Sequence, residues 1–333
     1  MSYTNFPNGI TSFGVPVTGG MMPTCGNIYF VKPYSGSDSN DGTEPGKAFK
    51  TLTKAHAAAT ANQNDIIYMY AESNTAANTT DYQSTVLTWS KNSVHLIGVN
   101  AGQRMSHRSR IAFVSTYDTA TPLVTVSANG CLFANIEMLE GVAGTTPLGC
   151  LKITGQRNHF LNCHIAGIGN DANDIAGAYS LELYGNASEN YFESCVIGLD
   201  TIGRGSAANS EILFTYGTGN TRAARTIFKD CIIQGLCASA GNYTFLTTSY
   251  GLDRYCIFDN CIFSNPATNV AGGAAMTYAM ITANANGYII LHNTSITGAA
   301  DMADNPGNIV SNAPPRATAD PDDLSITWAV TKS

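Results

Sequence analysis

Five eight-residue segments align without gaps: CLFANIEM (131–138), NHFLNCHI (158–165), NYFESCVI (190–197), TIFKDCII (226–233) and CIFDNCIF (256–263). A sixth, IILHNTSI (289–296), fits with Leu291 in the anchor position. The anchors Phe133, Phe160, Phe192, Phe228, Phe258 and Leu291 are separated by 27, 32, 36, 30 and 33 residues. Periods of this size mark a solenoid, and a fixed motif at variable spacing means that one side of each coil is constant while another carries loops. The anchor and the apolar residue five positions later point inward, and Glu193, Lys229, Asp259 and His292 point out. A second apolar strand precedes each motif: PLVTVS (122–127), CLKITG (150–155), SLELYG (180–185), EILFTYG (211–217), YTFLTTS (243–249) and YAMITAN (278–284). TVLTWSKNSVHLIGVN (85–100) is an earlier coil with Leu96 as a weaker anchor. The expected architecture is all-β: a single right-handed parallel β-helix of about seven coils. Each coil has a strand, a short turn, a strand, a bend, a strand and a longer loop.

Two columns inside the motif have physical tasks. Two residues after the anchor stand Asn135, Asn162, Ser194, Asp230, Asn260 and Asn293. Asn and Asp tolerate the left-handed backbone that bends one short strand into the next. At about 4.8 Å per coil their side chains can bond up and down a ladder. One residue further stand Cys163, Cys195, Cys231 and Cys261, with Ile136 and Thr294 at the two ends. These thiols are expected as small buried hydrophobes rather than disulfides, because neighbours in the column lie further apart than the ~3.8 Å between Cβ atoms of a cystine.

Residues 50–61, KTLTKAHAAATA, are the one good helix candidate, with Leu52 and Ala55 to Ala59 on the apolar face. A solenoid end exposes an open edge, and this short helix is expected to cap it. The division expected is an extended arm over 1–26, a capping strand, loop and helix over 27–64, the β-helix over 65–300, and an irregular cap or tail over 301–333. Within that tail LSITWAV (324–330) is a candidate last strand, with Trp328 over the open core.

Composition narrows function. Charged residues are 12% of the 333, about half the usual share, and the net charge is −7 with no Lys/Arg block. Nucleic-acid binding needs clustered cations and is not expected. No apolar run reaches transmembrane length and no secretory signal opens the chain, so neither a membrane nor an oxidising compartment is expected. The nine Cys form no CxxC pair and no zinc spacing with His, so neither a metal nor a cofactor is expected. His56, His95, His107, His159, His164 and His292 form no pair at ligand spacing. SDSNDG (37–42) lacks the spacing and terminal Glu of an EF-hand and is taken as a turn.

NIYFVKPYSGSDSNDGTEPGKAFKTLTKAHAAA (27–59), together with the x-F-x-N-C-x-I coils, resembles the pectate-lyase-like β-helix superfamily over roughly residues 27–300. The resemblance implies the fold. Activity does not follow, because this fold hosts lyases, hydrolases, tailspikes and inert rods. The polygalacturonase signatures N-T-D, G-H-G and R-x-K are missing. The outward column of the second strand offers Thr125, Lys152 and Glu182, then positions of ambiguous register, and no carboxylate dyad can be named. Asp171 and Asp174 lie in a long loop (167–177) whose simplest reading is a solvated loop. Tyr34, Tyr82, Tyr117, Tyr179 and Tyr250 are candidates for exposed aromatic platforms, which serve sugars and subunit contacts alike.

Residues 1–26 resemble the N-terminal arm that precedes the β-helix body in phage virion proteins. Asn5, Phe6, Pro7, Ile10, Phe13, Val15 and Pro16 would hold it to the major capsid protein or another virion protein. A disordered terminus, or a strand folded back on the same β-helix, is the alternative. The function so implied is a non-enzymatic virion component of a tailed phage, assembled in the host cytoplasm: a capsid decoration or head spike. The alternatives are a tailspike-like polysaccharide depolymerase and an adhesin for a host surface glycan. The same resemblance makes a homotrimer one candidate assembly, since trimers are common among phage β-helices, but no coiled-coil segment specifies one and the sequence leaves the oligomeric state open.

Overall fold

The computed structural model describes residues 26–312 apart from 73–74, 76–78, 101–107, 120, 144–145, 147–148, 206, 240, 267–271 and 283–284, and also the short paired strands Thr11–Ser12 and Val15–Pro16. The arm residues Asn5, Phe6, Pro7, Ile10 and Phe13, the side chains of Val15 and Pro16, and the strand expected at 324–330 lie outside the described residues.

Three parallel sheets wind around one core. The first has ten strands, from Ile28–Val31, Asp65–Met69 and Val94–Gly98 through Leu132–Ala134, His159–Leu161, Tyr191–Glu193, Ala223–Lys229 and Leu252–Asp259 to Asn286–His292 and Ile309–Ser311. The second and third have eight strands each, the second running from Thr80–Gln83 to Ser295–Thr297 and the third from Leu87–Trp89 to Ala299–Ala303. Each coil passes from the first sheet through the bend into the second, then through a loop into the third. This is a right-handed parallel β-helix. The gapless motif alignment is the hydrogen-bonded register: Phe133 pairs with Phe160, Phe160 with Phe192, Phe192 with Phe228, Phe228 with Phe258 and Phe258 with Leu291.

The anchors form one stack. Consecutive ring centroids from Phe133 to Phe258 are 4.7, 4.9, 4.6 and 4.7 Å apart with planes within 10° of parallel. All five rings are fully buried. Trp89, also fully buried, meets Phe133 edge-on at the N-terminal end of the stack.

The two ends differ from expectation. Ile28–Val31 pairs in parallel with Asp65–Met69, so it is a rung of the first sheet. At the other end the repeat does not stop at 300. Ala299–Ala303 adds a strand to the third sheet and Ile309–Ser311 one to the first. The departures from the motif in DNPGNIV conceal this: the 3-10 turn Pro306–Asn308 stands between the third-sheet strand and the returning first-sheet strand. The helix spans Leu52–Ala58, shorter than the 50–61 expected, and buries Leu52, Ala55 and His56. Thr51 caps it by accepting from the Lys54 amide, and Asp38 of the SDSNDG turn accepts from the amides of Lys50 and Thr51.

Candidate functional site

The bend is the most regular feature. Asn135, Asn162, Ser194, Asp230, Asn260 and Asn293 all have φ between 47° and 57°. Asn162 donates through Nδ2 to Asn135 Oδ1 at 2.8 Å, and Asn260 donates to Asp230 Oδ1 at 2.6 Å. The shorter Ser194 side chain occupies the position between these two pairs. Beside it the thiols do more than fill space. Cys163, Cys195, Cys231 and Cys261 each donate to the carbonyl of the preceding coil's anchor, at 3.4–3.6 Å. Thr294 donates to the Phe258 carbonyl at 3.0 Å in the same way, which explains why a hydroxyl can replace a thiol in this column. Burial pushes the Cys195 thiol well above its usual pKa. All eight Cys among the described residues are free and buried.

A second amide ladder lies at the turn before the first sheet and escapes the motif analysis. Asn158 Oδ1 accepts from the Cys131 amide at 2.9 Å, and Asn190 Oδ1 accepts from the Asn158 amide at 3.0 Å. Its only signal is that Asn158 and Asn190 each stand two residues before an anchor Phe.

The outer faces carry the charged groups. On the second sheet Glu137 is buried under Arg108 at 2.7 Å, Arg110 at 2.5 Å and His164 at 3.5 Å. Burial opposes its charge, but the His164 hydrogen bond and the two guanidiniums hold the carboxyl below its usual pKa. On the third sheet the ambiguous register resolves into one column: Thr125, Lys152, Glu182, Leu213, Thr247 and Ile281. Lys152 reaches Glu182 at 3.0 Å and lies 3.8 Å over the Tyr184 ring. Along the turns Arg157 and Arg225 both bond Glu189, at 2.6 Å, and on the first sheet His292 meets Asp259 at 2.5 Å.

Past Glu182 the third-sheet column loses its charges and opens into a groove of about 360 Å³. Leu213, Thr247, Ile281 and Tyr278 floor it, and Asn209 and Asn242 edge it. Tyr179, expected to be exposed, is buried, and burial and Glu182 raise its phenol well above the usual range. Tyr34, Tyr82 and Tyr250 are exposed; Tyr117 is half-buried, stacked on Phe113 at 3.7 Å.

The loops between the second and third sheets hold the rest. Asp174 accepts from the Gly205 amide and from Asn209 Nδ2, each at 2.6 Å, so this acid tethers one loop to the next rather than facing solvent alone. Glu211 and Arg204 are fully buried and 3.4 Å apart, and Tyr243 donates to Glu211 at 2.8 Å. Glu140 is fully buried; one oxygen accepts from the Val142 amide, the other is unpartnered, and burial raises its pKa to about 7. No group of three or more His, Cys, Asp or Glu among the described residues could hold a metal ion. No helix among the described residues is long and apolar enough to cross a membrane.

Pectate lyase Pel9A superposes with a TM-score of 0.58 at 14% identity, covering 86% of this chain and 68% of that one. The chain has the pectate-lyase-like β-helix fold. The pectin methylesterase from Aspergillus niger follows with a TM-score of 0.49 at 16% identity, covering 89% of this chain and 84% of that one. Geobacillus virus E2 ORF18 gives a TM-score of 0.44 at 13% identity, covering 87% and 60%. No protein-family model matches the chain, and no curated protein sequence does. Identities this low carry the β-helix fold and nothing of a neighbour's chemistry.

Proposed function

We propose that this protein is a non-enzymatic structural component of a phage virion, a stiff capsid decoration or head spike. Residues 1–26 attach it to the major capsid protein or another virion protein, and assembly takes place in the host cytoplasm. The observation that carries this reading is the use made of the outward carboxylates. Glu137, Glu182, Glu189 and Asp259 each bind a basic side chain on a neighbouring coil. Glycoside hydrolysis needs two carboxyl groups about 5–9.5 Å apart, with one free to move a proton or attack. Acids spent on cross-coil ties stiffen a rod instead. The amide and thiol columns do the same work along the bend, which suits a projection that must hold its shape outside the cell.

Deleting residues 1–26 tests the attachment. The truncated chain is expected to fold, by circular dichroism and cooperative melting, yet to be missing from particles purified after infection. Particles that retain the truncated chain would refute the arm's role. Release of reducing ends from host envelope glycans by the purified protein, abolished in Glu182→Ala or Asp174→Ala, would replace the structural role with a depolymerase.

The third-sheet groove favours a second reading, an adhesin for a host surface glycan. Tyr278 offers a ring face, and Asn209, Asn242 and Thr247 offer neutral hydrogen-bonding groups. Binding without cleavage on a glycan array, lost in Tyr278→Ala, is the expected sign of it.

A further inference from the structure

The outer face of the ten-stranded sheet carries a largely apolar column from end to end, interrupted by two histidines. Because side chains alternate across a strand, the residue before each buried anchor points out. The register aligns these residues into one column. Ile28, Ile66, His95, Leu132 and His159 form its N-terminal half, with His95 buried and His159 paired to Glu193, and Tyr191, Ile227, Ile257 and Ile290 continue it to Val310. Ile28 and Val310 are exposed, and Leu132, Tyr191, Ile227, Ile257 and Ile290 are half-buried, Leu132 packing on the Ile66 cluster and Tyr191 beside the His159 ring. A second column widens the face in its N-terminal half, through Phe30, Tyr68, Ile97 and Leu161. Ile66, Ile97 and Ala134 there form a small apolar cluster outside the main core. In the C-terminal half this second column turns charged: Glu193, Lys229, Asp259 and His292. On the opposite side, the turn ladder Arg157, Glu189 and Arg225 borders the ribbon.

An apolar strip between two charged borders has the anatomy of a protein interface, with a dry core and a polar rim. We infer that it is covered by a second copy of this chain, lying parallel to the first with like rungs at the same level. Length argues for the copy. Ten rungs at about 4.8 Å make a strip of about 43 Å. The seven residues of LSITWAV, fully extended, span only about 24 Å of it. Area agrees: a two-column strip of that length offers roughly 400 Å² per chain, and the bordering columns bring this near the ~800 Å² per partner of a stable interface.

The asymmetry of the second column sets the direction. Antiparallel copies would press Glu193, Lys229 and Asp259 against Tyr68, Ile97 and Leu161, and removing charges from water onto apolar groups is unfavourable. Parallel copies place wide apolar half on wide apolar half and keep the charged border at the rim. Parallel identical rods around one axis form a closed cyclic assembly, with every N-terminal arm at the same end.

Light scattering after size exclusion of the full chain tests this. The wild type is expected at a multiple of the single-chain mass at tens of micromolar, and Ile227→Lys combined with Ile257→Lys at the single-chain mass with an unchanged circular dichroism spectrum. Ile257→Cys provides a test that needs no disruptive change. In a parallel assembly residue 257 faces its own copy, so oxidation yields a covalent dimer that the wild type, control for the native thiols, does not form. Three results would overturn the inference. One is a wild type at single-chain mass; another is an oligomeric Ile257→Cys chain that does not cross-link. The third is a chain that becomes oligomeric only when residues 1–25 or 313–333 are removed, since a terminal segment would then be the cover.

Discussion

The bend between the first and second sheets and the loops between the second and third belong to the same coils but are built on opposite principles. At the bend one polar residue in left-handed backbone and one thiol or hydroxyl recur coil after coil, and each repeats the bond its neighbour makes. In the loops no bond repeats. Asp174 holds a backbone amide and an Asn, Glu211 holds Arg204 and Tyr243, and Glu140 holds a single amide. The bend spreads its stability over many small equal contributions. The loops concentrate theirs in a few buried charges, where loss of one partner strands the other.

Substitutions that separate these two principles should rank as follows. Phe192→Ala removes a ring from the middle of the stack on which both regions rest, and is expected to cost about 3–5 kcal/mol, read by chemical denaturation. Arg204→Ala leaves Glu211 buried without its cation and should cost about 3 kcal/mol, more than any single bend substitution. An equal loss in Asn162→Ala would erase the distinction between the regions.

Glu140 supplies a pH test. Burial raises its pKa from 4.5 to about 7 in the folded chain, so the folded state holds a proton that the unfolded state has released between those values. Stability therefore falls as pH rises from about 4.5 to about 7. Glu140→Gln should flatten that fall and stabilise the protein by about 1–3 kcal/mol at pH 8, with little change at pH 4. A variant no more stable than the wild type at pH 8 would show that the unpartnered oxygen finds a bond in solution. The smallest effect is expected of Cys261→Thr, which copies Thr294. Melting should change by less than about 1 kcal/mol, whereas Cys261→Ala, which loses the bond to the Phe228 carbonyl, should cost about 1–2.

The same contrast decides what the sequence discloses. Where phase is kept, the reading goes far. The anchors, the bend residues, the thiol column and the six strands before the motifs are in the linear pattern, because alternation within a strand and a fixed step between strands determine which residues meet. Where phase is lost, it stops. Loops of unequal length separate Glu182 from Leu213 and Thr247, so their shared column emerges only once the strands are paired. Tyr179 gives no sign in sequence that it turns inward beside Glu182. Arg204 and Glu211 lie seven residues apart across a loop and a strand start, and no spacing rule joins them. Ile28–Val31 and Ile309–Ser311 lack the full motif, so the linear pattern places them at the ends although they pair into the ladder. The groove edged by Asn209 and Asn242 is assembled from four coils at once, and no single segment announces it.

Under the proposed function, a cryo-EM reconstruction of particles from the encoding phage is the most direct measurement. The account predicts parallel rods standing on the particle surface, the Ile28–Val31 end toward the shell, and a stack of rings at about 4.8 Å along each rod axis. Particles complete without this chain, or a map in which Phe160, Phe192 and Phe228 belong to separate cores, would contradict it.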